Sequence, residues 1–299
     1  MSLLSHAPGR FGRRTLLGAF AALSALPLFA AEGSRPVAAV SLDWGLSETL
    51  FAMGLAPLGA SLLRDFARTP GQPAVPGRVV DVGLSSAPNL ELLQALHPDV
   101  LLLQSWQEPL RPTLERIAPV RTFTLYTGDG HPLQRSFACA RQLGDVLNIP
   151  QAGEHYAQCC QSSLDELRES LAPWRGQAIC LLQQIDGHHL SVFARGGLFH
   201  DVLEYLGLRN AWQAPADLLW GGSQIDLAQL AEIAADRVLV INGQEDGDTL
   251  YGSALWQRLP FVVAGKVSFL PFVWGFGALP SALRFAQLLS RSLQQEAAA

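Results

Sequence analysis

The chain has 299 residues, a formal net charge of −5, 49% apolar residues and only 16% charged ones. That length leaves room for two ordinary domains, while the low charge and positive mean hydropathy make a membrane span the first alternative to test. No lysine or arginine run exists in an acidic chain of this kind, which excludes nucleic acid as an expected partner.

At the N-terminus, Arg10, Arg13 and Arg14 precede sixteen uncharged residues, 15–30. This is an export-signal pattern, too short and too proline-interrupted to span a bilayer. Paired Arg13-Arg14 ahead of a mildly apolar, Ala- and Gly-rich core points to twin-arginine export, with the general secretory route as the alternative. Cleavage is expected at the small-x-small site Ala31-Glu32-Gly33, with Ala30 as its rival. Residues 1–33 are therefore read as a signal peptide, and no cysteine lies close enough to predict a lipid anchor. A second uncharged run, 267–283, is broken by Pro271, Gly275, Gly277 and Pro280. A strand, a loop and a helix start explain it better than a membrane span.

After the leader, PVAAVSL reads as a strand buried on both faces, and LSETLFAMGL as a helix ending at Gly54. PGRVVDVG is the next strand, Ser85-Ser86-Ala87-Pro88-Asn89 a turn and helix cap, PNLELLQALHPD a helix and VLLLQ a strand. The second half repeats the plan: ICLLQQ and LSVFA as strands, LFHDVLEYLGL as a helix ending at Gly207, IDLAQLAEIAAD as a helix and RVLVI as a buried strand. LLQALHPDVLLLQ and QLAEIAADRVLVIN align so that Leu93 matches Leu230, Leu96 matches Ile233 and Asp99 matches Asp236, an internal echo expected of two lobes with one architecture. Between them, residues 151–171 form a helix about 30 Å long. The predicted fold is α/β: two lobes with mostly parallel sheets, residues 34–148 and 174–299, joined by one rigid helix within 149–173, with a ligand cleft between the lobes.

Seven tryptophans are present. Trp44, Trp106 and Trp274 follow strands directly, where open α/β sheets bind ligands, and Trp220 in the Gly-rich loop LLWGGSQ joins the same edge. Trp174, Trp212 and Trp256 stand beside helix ends and are expected to pack in cores. Four strand-end rings suit a large, partly apolar ligand. No GxSxG, HExxH or P-loop is present, and His188-His189 reads as a hairpin rather than a metal site. Cys139, Cys159, Cys160 and Cys180 lack zinc spacing and are expected to be buried free thiols, with one disulfide involving Cys139 or Cys180 as the alternative.

DVGLSSAPNLELLQALHPDVLLL, RIAPVRTF, NAWQ, LWGGSQIDLAQLA, ALWQRLPFVVAGKV and VWGFGALPSALRFAQLL together resemble the ferric hydroxamate siderophore-binding periplasmic proteins of ABC importers. The resemblance runs in order from about Arg35 to the C-terminus. It implies a monomeric binder without catalysis or cofactor, which holds an iron(III)-siderophore complex in a shallow aromatic cleft and passes it to an inner-membrane permease. Metal is held by the ligand, not by the protein. The implied ligand-binding residues are Trp44, Ser85, Trp106, Gln107, Trp220, Ser223, Trp274 and Phe276. Two positions depart from the family pattern: Ser85 stands where an arginine is expected after DVGL, and Gln107 where a tyrosine is expected. Arg64, Arg68 and Arg111 are candidates to replace the missing cation. Permease docking is implied for acidic residues on each lobe, Glu108 or Glu115 and Glu245, Asp246 or Asp248. A cobalamin, haem or mixed-type chelate is the alternative ligand, and an exported siderophore-processing enzyme the alternative class.

Overall fold

The structure, a computed structural model of the chain, describes residues 37–185, 189–214, 220–242 and 250–298. The leader, His188, Glu245, Asp246 and Asp248 lie outside the described residues.

The first half runs β1 (Ala39–Ser41), α1 (Trp44–Ala52), β2 (Gly59–Ala60), α2 (Leu63–Arg68), β3 (Val80–Asp81), a hairpin of β4 (Gly83–Leu84) and β5 (Ala87–Pro88), α3 (Leu90–Leu96), β6 (Val100–Gln104), α4 (Arg111–Leu114), β7 (Val120–Phe123) and α5 (Pro132–Val146). Five of these strands form a parallel sheet in the order β3-β2-β1-β6-β7. Every residue of β6 is buried, which is why VLLLQ carries no alternation. Asn89 caps α3 by accepting from Leu92 N–H, as the sequence predicts.

α6 (Pro150–Ser170) then carries the chain to the second half, matching the predicted linking helix within a residue at each end. There follow β8 (Ala178–Gln184), β9 (Leu190–Phe193), α7 (Leu198–Tyr205), β10 (Arg209–Asn210), β11 (Gly222–Ile225), α8 (Leu227–Leu230), β12 (Arg237–Ile241), α9 (Pro260–Val263), β13 (Val267–Leu270) and α10 (Leu279–Ala298). The second sheet has the order β11-β9-β8-β12-β13, with β10 beside the start of β8. β8, β12 and β13 run parallel, and β9 returns antiparallel. Ile185 N–H donates to His189 C=O at the β8–β9 connection, where the sequence places a hairpin. The uncharged run 267–283 becomes β13, a loop and the start of α10, and no helix among the described residues is long and apolar enough to cross a membrane.

The internal echo is physical. Asp99 accepts from Ala38 N–H through its carboxylate at 2.8 Å and donates its own N–H to Ala38 C=O at 2.7 Å. Asp236 repeats both bonds with Ala178, each at 2.8 Å. In each half an aspartate that follows the helical turns ties the start of the returning strand to the start of the first one. The predicted helix over IDLAQLAEIAAD is shorter than its counterpart, with α8 ending at Leu230 and three-residue turns following. The fixed Asp236–Ala178 register ends it: the chain must reach β12 in six residues, and local propensity yields to sheet pairing.

The largest apolar cluster is shared between the halves. It contains Leu46 and Leu102 of the first sheet's layer, Leu143 and Leu164 of α5 and α6, Leu181 of β8 and Phe285 of α10. Separate clusters cover the outer faces around Leu103 and Leu182. A helix link and a continuous core both oppose large hinge motion.

Candidate functional site

Trp44 is the first residue of α1. Asp43 ends the turn after β1 and caps α1 by accepting from Leu46 N–H at 3.2 Å, which fixes where the helix, and with it the Trp44 backbone, begins. Burial raises the Asp43 carboxyl above its usual range, while bonds from Leu46, Gln104 and the Trp106 indole oppose that shift. Trp106 follows β6 in a 3₁₀ turn and is 39% exposed. Both tryptophans therefore stand at parallel strand exits, and the Trp106 indole bonds the carboxylate of Asp43, the residue before Trp44.

Ser85 lies at the turn of the β4–β5 hairpin and is buried. Its carbonyl accepts from Gln107 Nε2 at 2.7 Å. The same nitrogen donates to Leu42 C=O at 2.8 Å, and Gln107 Oε1 accepts from Gln104 N–H at 2.9 Å. Gln107 is 1% exposed, so its amide is committed to three loops and positions them rather than facing a ligand. It holds together the segments that carry Trp44, Ser85 and Trp106.

On the other side, Phe272, Trp274 and Phe276 are half-buried while Val273, Gly275 and Gly277 are buried. This alternation turns aromatic rings one way and small residues the other. The glycines are needed for close approach: a Cβ on Gly275 would lie 2.4 Å from the Phe193 ring, and one on Gly277 2.4 Å from Glu48 Oε1 and 2.2 Å from Ser281 Oγ.

The rings form a continuous aromatic surface. Trp44 and Trp274 are stacked, 5.0 Å between centroids at 18°. Trp274 meets Phe276 edge-on at 5.5 Å, and Phe276 meets Trp220 in the same way at 5.5 Å. Phe66 extends the series beyond Trp44 and Tyr126 beyond Trp220. Trp44 and Trp274, expected as parts of a cleft lining, lie face to face and make one wall across both lobes. Trp106 is in none of these ring pairs and bonds Asp43 instead, the residue before Trp44. Ser223 is half-buried on β11, a strand that intervenes between the Trp220 loop and α8 where the sequence predicts a helix directly. Trp212 and Trp256 are buried and Trp174 packs against the core, as expected beside helix ends.

A cavity of about 730 Å³ opens at the Phe272 end of this wall, lined by Arg68, Thr69 and Pro70 from α2 and its exit and by Asn242, Pro271 and Phe272 from the second sheet; Phe272 and Trp274 are 6.3 Å apart. Of the candidate cations, Arg111 is committed: it forms a bidentate pair with Glu108 at 2.7 and 2.9 Å and a further pair with Glu115 at 2.9 Å. Those bonds hold the Glu108 carboxyl well down, at about 2. Arg64 and Arg68 are exposed on α2.

Sequence reasoning missed Tyr126, Phe66 and Glu48. Tyr126 obeys the strand-exit rule that selects Trp44, since it follows β7 closely. Glu48 announces itself as the only charged side chain of α1. The expectation of four buried thiols is corrected at one position: Cys139, Cys160 and Cys180 are buried, but Cys159 is exposed on α6, and all four are free. Its helix face turns outward while the adjacent Cys160 turns to the core. Among the described residues no group of three or more His, Cys, Asp or Glu is placed to hold a metal ion.

Comparison with known proteins agrees with this geometry. The periplasmic binding protein family model matches residues 40–273. The chain is 31% identical, over 85% of its length and 86% of the relative's, to the iron(3+)-hydroxamate-binding protein FhuD of Escherichia coli. Its fold matches that of FhuD from Vibrio cholerae solved with Fe3+-Desferal, with a TM-score of 0.79 and 29% identity over 87% of this chain and 98% of that one. It also matches the haem-binding protein BhuT solved with two haems, with a TM-score of 0.68 and 21% identity over 86% of this chain and 97% of that one; at that identity the likeness concerns the fold alone. Two sheets joined by one helix, with aromatic residues gathered at the strand exits, thus accompany a family match over most of the chain: the protein belongs to the periplasmic binding protein family.

Proposed function

We propose that this chain is the solute-binding component of an iron(III)-siderophore ABC importer, which captures a ferric hydroxamate in the periplasm and delivers it to an inner-membrane permease. The observation that carries this reading is the aromatic wall Trp44–Trp274–Phe276–Trp220, which is contributed by both lobes; next to it, beyond Phe272, lies the 730 Å³ cavity. Such a wall suits a bulky chelate with an apolar backbone. The likeness to FhuD supports the ligand class.

Without an arginine at position 85, the charge-assisted donor must come from elsewhere, and such a bond contributes about 1.5–3 kcal/mol when made. Arg68 is our candidate, because it lines the cavity and is exposed, whereas Arg111 is held by two glutamates. Ser85, Trp106, Ser223 and Phe276 complete the proposed lining. The protein carries out no chemistry on its ligand in this reading, and it acts as a monomer exported through the twin-arginine leader. Glu108 and Glu115 remain candidates for docking the permease, with Glu245 and Asp246 on the other lobe; a double charge reversal that left uptake intact would remove that part.

The test is tryptophan fluorescence of the mature chain titrated with ferrioxamine B and ferrichrome and with their iron-free forms. Saturable quenching by the ferric complexes alone is expected, and no response to any of them would sink the reading. Haem is the second ligand to test, because BhuT shares the fold; a Soret shift on haem addition would favour it.

A further inference from the structure

α1 has the sequence WGLSETLFA, and seven of its nine residues are buried. Glu48 is 0% exposed in the middle of it. Its Oε1 accepts from Ala278 N–H at 2.5 Å and its Oε2 from Ser281 Oγ–H at 2.8 Å. Those groups lie at the N-terminus of α10, where N–H groups lack helical partners and the dipole favours negative charge. The carboxylate of a first-lobe helix therefore caps the helix that follows the aromatic wall of the second. Tyr126 grips the same segment from the first lobe, its hydroxyl donating to Gly277 C=O at 2.6 Å. Gly277 has no side chain because any Cβ would strike Glu48 and Ser281.

We propose that Glu48 is a positioning residue of the ligand site: by capping α10 from the first lobe it fixes Trp274 and Phe276 against Trp44, and so sets the surface the ligand meets. This rests on the aromatic wall being the binding surface. The titratable groups acting with Glu48 are Asp43 from the turn before α1, Tyr126 from the loop before α5 and Tyr156 of α6. None of these is a cation, and the opposing positive potential comes from the α10 terminus. Burial pushes the Glu48 carboxyl up to about 7. Ionisation strengthens the two bonds that Glu48 accepts, so the clamp tightens locally as the pH rises through neutrality, while the buried charge costs the fold as a whole some stability.

The experiment compares wild type, Glu48→Gln and Glu48→Ala in two readouts. The first is ligand-free: the circular-dichroism couplet of the stacked Trp44 and Trp274 indoles, recorded from pH 6 to 8 beside a thermal melt. The second is ferrioxamine B affinity by fluorescence. Wild type is expected to show a couplet that grows with pH. Glu48→Gln, which keeps an acceptor but cannot ionise, is expected to show a pH-independent couplet and an affinity within about threefold of wild type. Glu48→Ala is expected to melt cooperatively, to lose the couplet and to bind at least tenfold more weakly, the scale of a loosened site. An alanine variant with couplet and affinity intact would overturn the proposal. If that variant does not fold, Ser281→Ala decides, because it removes the donor to Glu48 Oε2 and leaves Glu48 in place: a couplet and a ferrioxamine B affinity both unchanged from wild type overturn the proposal. Failure of wild type to bind ferrioxamine B would count against the proposed function, while the ligand-free arm would still judge Glu48.

Discussion

Replacing Gln107 by leucine tests whether the amide that joins three loops organises the first-lobe half of the site. The substitution keeps side-chain volume roughly constant but leaves Leu42 C=O, Ser85 C=O and Gln104 N–H without the bonds they make at 2.8, 2.7 and 2.9 Å. Each unsatisfied buried group costs about 1–3 kcal/mol, and neighbouring losses are not additive. A burial-driven gain from leucine offsets part of this, leaving a net loss of about 3 kcal/mol. With a urea slope of ~3 kcal/mol/M, the unfolding midpoint should fall by about 1 M. The assay is urea unfolding followed by tryptophan fluorescence, and Trp106, one residue away, should also shift its native emission. A midpoint within ~0.2 M of wild type would refute the view of Gln107 as a clamp and return it to the list of side chains free to meet a ligand.

Three other outcomes follow from the same structure. Gly275→Ala places a methyl 2.4 Å from the Phe193 ring, so it should displace Trp274 and weaken ferrioxamine B binding by tenfold or more on the scale of site misplacement; unchanged affinity would show that this wall does not touch ligand. Ellman's reagent should modify Cys159 rapidly in the native protein and three further thiols only after unfolding, since Cys139, Cys160 and Cys180 are buried, with burial pushing Cys160 up to about 11 and Cys180 to about 12; a second fast-reacting thiol would contradict that packing. Glu48 is raised from 4.5 unfolded to about 7 folded, so its neutral form is the one that folding favours. Its contribution, on the order of 3 kcal/mol, is complete below pH 4.5 and lost as the pH rises through 7. Glu48→Gln should flatten stability across that window, measured by urea melts at pH 5 and 8.

What the sequence reveals is set by how local each signal is. Strand exits are local, so Trp44, Trp106 and Trp274 could be placed at the exit edge of the sheets from pattern alone, and the match of Asp99 with Asp236 already carried the repeated strand tie. The linking helix was legible as the unbroken helix-compatible run 151–171. What is not local escaped: that Trp44 stacks on Trp274, that one amide gathers the Leu42, Ser85 and Gln104 backbones, and that Glu48 reaches Ala278 across 230 positions. The helix expected after Asp226 failed for a related reason, because sheet register fixed by Ala178 outweighed the propensity of LAQLAEIAAD. The glycines of WGFG looked like loop residues, and only the packing of Phe193 and Glu48 beneath them explains why side chains are excluded there.

In the proposed reading, specificity turns most on Ser85: an arginine, which the resemblance implies there, would pair with the anionic oxygens of the chelate, and Ser85 cannot. The exposed cations carried by α2 are Arg64 and Arg68. Ligand discrimination should therefore lean on ring contact and neutral donors, and it should be less sensitive to salt than an arginine-centred site.

Native mass spectrometry of the protein purified from its own periplasm asks most directly what the wall binds. One retained iron(III)-hydroxamate complex per chain, released intact on unfolding, is expected. A retained porphyrin or corrinoid, or a siderophore stripped of its iron or chemically altered, would contradict the proposed function.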